Sequence, residues 1–144
     1  MIVVLDTNVL VAGLRSRRGA SFRILEMIPS NRVAGLISVA LFIEYEATLK
    51  RPEQIAATGL SEVDIDAVLD MIAGRFRIVT PHYLWRPQLR DPSDEMVLEL
   101  AVNGGADAIV TFNAGDFAGA AARFGVKLMA PGEFLRALGK EKRR

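Results

Sequence analysis

Cysteine is absent from this chain, and histidine occurs once, at His82. Without thiols there is no disulfide framework and no thiolate metal site, and one imidazole cannot build the His clusters that zinc favours. Long apolar runs are missing too, so nothing here is of membrane-spanning length. No N-terminal segment joins a basic start, an apolar stretch and a small-residue cleavage site, so a soluble cytoplasmic protein without membrane association is expected. Charge of one sign is also lacking: 18 Lys and Arg stand against 17 Asp and Glu, a net +1 that neither demands nor excludes a nucleic-acid partner.

What is present is a chain 51% hydrophobic and 24% charged over 144 residues. That composition fits one compact domain, long enough to bury ~70% of the surface its unfolded form exposes. The domain is expected over residues 1–138, with a basic tail at 139–144 that holds Lys140, Lys142, Arg143 and Arg144.

Ile2–Leu5 is a β-branched apolar run that stops at Asp6, where a helical pattern takes over. Further strands are expected in VAGLIS (33–38), FRIVTP (76–81), ADAIVTF (106–112) and VKLM (126–129). Helices are expected over 21–28, roughly 40–50, from the capping box at Ser61 and Asp64 to Gly74, from Asp91-Pro92 to Gly104, over 116–124, and from Pro131 onward. Residues 82–90 read as a loop. Strands alternating with helices in this order predict a parallel sheet with helices on both faces, and hence a ligand crevice beyond the carboxyl ends of the strands.

Four acids come from separate segments near that edge: Asp6, Glu44, Asp94 and Asp116. Each has an ordinary structural use. Asp6 could cap a helix, Asp94 sits in the first turn after the Asp91 cap, Asp116 could cap the next helix, and Glu44 and Glu46 flank a helix face. Carboxylates brought together, however, repel unless protonated or bridged by a cation. Asp94 also shares a stripe with Val97, Leu98 and Ala101, so it points inward, where a carboxylate needs a partner. With oxygen donors alone, the natural ion is Mg²⁺ or Mn²⁺.

Other candidates offer less. His82 stands alone, Tyr83 and Trp85 beside Arg86 could stack on a base or pack under the loop, and Ser38 and Ser93 have no histidine in triad context. Arg15, Arg17 and Arg18 form the basic cluster nearest the first acid.

VVLDTNVL at the start, the acid a few residues beyond Ser38 in LISVALFIEYE, RDPSDEMVLELAVNGGAD and IVTFNAGDF together resemble the PIN-domain ribonucleases, over nearly the whole chain. EYEATLKRPE is similar to the bacterial branch that contains VapC-like toxins of toxin–antitoxin pairs. The resemblance implies a three-layer α/β/α sandwich with a central parallel sheet, and Mg²⁺- or Mn²⁺-dependent hydrolysis of RNA phosphodiesters. Carried over by position, Asp6, Glu44, Asp94 and Asp116 form the acidic site, with Asp6, Asp94 and Asp116 on the metal and Asn8, Thr111 and Asn113 as polar supports. Many relatives have Asp where Asn113 stands, so the fourth acidic role falls on Asp116 or is shared; Glu46 and Asp91 are weaker substitutes. Arg15, Arg17 and Arg18 would steer RNA. A homodimer and a small antitoxin protein are implied as well.

Two rivals remain at this stage. A haloacid-dehalogenase-like phosphatase also begins with a strand-end Asp, but it wants a second Asp where Asn8 stands. A non-catalytic PIN-fold binding module would keep the fold without turnover.

Overall fold

Ile2–Leu5 forms the central strand β1, and Val3, Val4 and Leu5 are wholly buried, as a parallel strand covered on both faces requires. This computed structural model describes residues 1–82 and 88–142. Tyr83, Trp85 and Arg86, considered above for base stacking, lie outside the described residues, as do Arg143 and Arg144.

After β1 come α1 (Thr7–Arg15), α2 (Ala20–Met27), β2 (Ala34–Ile37), α3 (Val39–Leu49), α4 (Pro52–Thr58) and α5 (Glu62–Arg75). The chain continues through β3 (Arg77–Ile78), α6 (Pro92–Gly104), β4 (Ala108–Val110), α7 (Ala114–Arg123), β5 (Lys127–Met129) and α8 (Pro131–Lys142). The strands form one parallel sheet in the order β3-β2-β1-β4-β5, with Val3 opposite Gly35 on one side and Ala108 on the other. Helices cover it in a three-layer α/β/α sandwich, the expected fold class. Among the described residues, no helix is long and apolar enough to cross a membrane.

Successive strands move outward one way from β1 to β2 to β3, and the other way from β4 to β5. The order therefore reverses between β1 and β4, and an open α/β sheet leaves its ligand crevice at such a reversal, beyond the strand ends. Asp6 follows β1 there and Thr111 follows β4.

Local chemistry explains most boundaries. Ser61 accepts from the Asp64 N–H while the Asp64 carboxylate accepts from the Ser61 N–H, closing the expected capping box on α5. Asp91 caps α6 through the Ser93 N–H at 2.8 Å, with Pro92 in the first helical position. The core behind these elements is apolar and large, with Tyr45, Phe117 and Phe134 among its fully buried side chains.

Two elements differ from the sequence reading. α4 was not expected: Pro52 starts it and Gly59 ends it at φ 71, but its only buried residue is Gln54, so it carries no apolar period to detect. The strand expected over 76–81 shrinks to Arg77–Ile78, an exposed edge that among the described residues pairs with β2 alone. α8 runs to Lys142, so the first residues of the basic stretch are helical.

Candidate active site

Asp6 is carried at the end of β1 with 8% of its surface exposed. Its N–H donates to the Val110 carbonyl at 2.9 Å, which ties it to the neighbouring strand. Although Asp6 is the N-cap of α1, its side chain does not close the cap on the first helical turn. Instead its Oδ2 accepts from the Thr111 hydroxyl at 2.7 Å, across the reversal between β1 and β4. Burial raises the Asp6 pKa above its ordinary value, the hydrogen bonds from Thr111 and the Thr7 backbone oppose that, and the charges of Asp116 and Glu44 push it up again.

Thr111 organises the polar strip. Besides donating to Asp6, its oxygen accepts from the Asn113 N–H at 2.9 Å and the Asn8 amide at 3.4 Å. Asn8 Oδ1 in turn lies 3.4 Å from the Phe112 N–H. The two strand-end loops are thus cross-linked by side chains rather than by ladder bonds. Behind them the wholly buried Tyr45 donates its hydroxyl to the Leu5 carbonyl at 2.5 Å, fixing the peptide just before Asp6.

Asp94 lies in the first turn of α6, half-buried, above Val97 and Leu98. Burial lifts its pKa to about 6, and the charges of Asp91, Asp6 and Asp116 add to the effect. No donor among the described residues closes on its carboxylate. Asp116, in the first turn of α7, is exposed, and its field reaches both Asp6 and Asp94. Glu44 of α3 accepts from Thr48 at 3.4 Å and Ser93 at 3.5 Å, both long contacts, and its charge is felt at Asp6. Glu46 is occupied elsewhere: it holds Lys50 at 3.1 Å, which also pairs with Asp66 at 2.6 Å.

The acids therefore face one edge and influence one another, in an open arrangement. Among the described residues no three His, Cys, Asp or Glu side chains converge closely enough to enclose an ion. Such openness suits Mg²⁺, which retains several waters and is commonly held by one or two carboxylates plus a substrate phosphate. The all-oxygen donor set, with the Asp94 carboxyl raised by burial and neighbouring acids, fits that ion or Mn²⁺ and does not fit zinc.

Arg15, at the end of α1, lines a groove with Asn8 and Glu44, whereas Arg17 and Arg18 lie exposed on the turn before α2. His82 is tied by its backbone to the Asn103 side chain. Buried Ser38 caps α3 through the Leu41 N–H. Neither arrangement is that of a catalytic triad. Sequence reasoning missed Tyr45, whose spacing with Leu41 and Leu49 is that of an ordinary apolar face, and Thr48, whose four-residue spacing from Glu44 was a usable signal. It also missed Gln54, for which no signal existed.

A family model described as PIN domain matches residues 2–115. No curated protein sequence matches significantly. A chain of VapBC2 from Rickettsia felis, solved bound to a DNA fragment from its promoter, superposes with a TM-score of 0.56 at 17% identity, covering 90% of this chain and 98% of that one. The fold is thus shared well beyond detectable sequence similarity. With the family model spanning the sheet reversal and all four acids but Asp116, the chain belongs to the PIN-domain family, a family of nucleases.

Proposed function

We propose that this protein is a Mg²⁺- or Mn²⁺-dependent endoribonuclease and the toxin of a type II toxin–antitoxin pair. The observation that carries the reading is Asp6, held by Thr111 at the sheet reversal, within the electrostatic reach of three further acids from separate elements. Asp6, Asp94 and Asp116 would hold the ion, in part through the waters it retains, and Glu44 would orient that water shell. A bound divalent ion supplies acidification of water and neutralisation of charge on the phosphate and leaving oxygen. Thr111 and Asn8 keep the Asp6 carboxylate aimed into the crevice, and the Asn113 backbone is anchored to the same hydroxyl. Arg15, Arg17 and Arg18 attract the RNA backbone.

The toxin assignment is supported by the likeness to a VapBC2 chain, and it brings a small antitoxin and a homodimer as partners. Hydrolysis of single-stranded RNA with Mn²⁺ tests the enzyme: activity is expected to vanish with chelator and in the Asp6→Asn, Asp94→Asn double variant. Turnover that ignores both changes refutes the metal mechanism. The open acidic arrangement favours one alternative, a PIN-fold module that binds an ion without turnover. Calorimetric Mn²⁺ binding with no cleavage across varied RNAs would select it.

A further inference from the structure

A groove of about 310 Å³ lies between α1, α3 and α4 and runs along α1 away from the acids. Asn8 and Glu44 line the end nearest Asp6, Thr48 stands between, and Arg15, Arg51, Glu53 and Gln54 line the far end. Arg15 is not a loose surface cation. Its Nε donates to Gln54 Oε1 at 2.6 Å, and Gln54, 3% exposed, reaches the Val11 carbonyl with its own amide nitrogen at 3.4 Å.

A guanidinium held by Nε keeps its two terminal nitrogens available as a fork for an oxyanion. Neither Arg15 nor Arg51 has an ion-pair partner among the described residues, although Glu53 also borders the groove. A buried amide thus fixes an unpaired, exposed cation in place. Arg15 stands nine residues beyond Asp6, about two and a half turns or roughly 13–14 Å along the helix axis. A phosphate on its fork is therefore about two nucleotides along the strand from the one at the acids.

We propose that this groove is a subsite for single-stranded RNA, in which Arg15 and Arg51 take a backbone phosphate about two nucleotides from the scissile bond, Thr48 hydrogen-bonds the strand between, and Gln54 positions Arg15. The assignment rests on the ribonuclease reading for the path of the strand, but binding at the groove requires no turnover.

The test is fluorescence anisotropy of a labelled single-stranded RNA oligonucleotide, without divalent ions, over a salt series. Arg15→Ala and Arg51→Ala, both at exposed positions, are each expected to weaken binding roughly tenfold. Each should also flatten the logarithmic salt dependence by about 0.7. Gln54→Ala keeps the charge, so the slope should stay while affinity falls and, in hydrolysis, KM rises more than kcat drops. Wild-type affinity and slope in both arginine variants overturn the proposal. A wild-type protein that shows these binding effects yet never cleaves RNA with Mn²⁺ retains the subsite and removes the ribonuclease.

Discussion

Asp94→Asn is expected to make the metal-free protein more stable while disabling it. In the fold the Asp94 carboxyl is raised from its ordinary 3.8 to about 6, first by burial and then by the charges of Asp91, Asp6 and Asp116. A raised acid favours folding in its protonated form, so the wild type loses stability as pH climbs from about 3.8 to about 6 and stays penalised above that. The full difference sets a ceiling of about 3 kcal/mol. Asp94 is only half-buried, and solvent screening reduces the usable part to about 1 kcal/mol. Asn is nearly isosteric and carries no charge, so the variant should melt about 2–4 °C higher at pH 8 in chelator. Below pH 4 the two proteins should melt together. Adding Mn²⁺ should reverse the ranking, because an ion that binds only the native wild type stabilises it by mass action. Differential scanning fluorimetry at pH 4 and pH 8, with and without Mn²⁺, reads all four conditions. A variant less stable than wild type at pH 8 in chelator, or one that keeps the wild-type Mn²⁺ shift, refutes the reasoning.

Thr111→Val removes the hydroxyl that lowers the Asp6 pKa, so Asp6 should stay protonated to higher pH and the acid limb of the hydrolysis profile should move upward; an unmoved limb would separate Asp6 from the chemistry. Tyr45→Phe takes the donor from the Leu5 carbonyl, with an expected loss of about 1 kcal/mol in urea unfolding and slower hydrolysis through a looser Asp6; unchanged stability would show that the bond contributes nothing. Gly35→Ala drives a methyl into the Phe76 ring on the inner face of β2, so about 1–3 kcal/mol of overpacking is expected by thermal melting, with cleavage by the folded fraction unaffected; a neutral result would mean that the ring can shift.

How much of this was legible beforehand differs by element. β1 was readable because a run of Ile, Val, Val and Leu ending in Asp can do little else, and α5 and α6 because Ser61, Asp64, Asp91 and Pro92 carry their own start signals. α4 was not, since a seven-residue helix burying only a glutamine has no hydrophobic period. Around the site, the helix wheel left Glu44 and Glu46 equivalent on α3. They are separated by Lys50, which engages Glu46 together with Asp66 of α5.

The sequence by itself determined the alternation of strands and helices, the oxygen-only donor chemistry and the family, because each depends on residue type and local spacing. Only the tertiary structure decided that Thr111 hydroxyl meets Asp6 across 105 residues of chain, that Tyr45 holds Leu5, and that Gln54 seizes Arg15. Those contacts exist because the strand order reverses between β1 and β4 and packs α3 and α4 against α1, and no local pattern encodes the distance between segments so far apart.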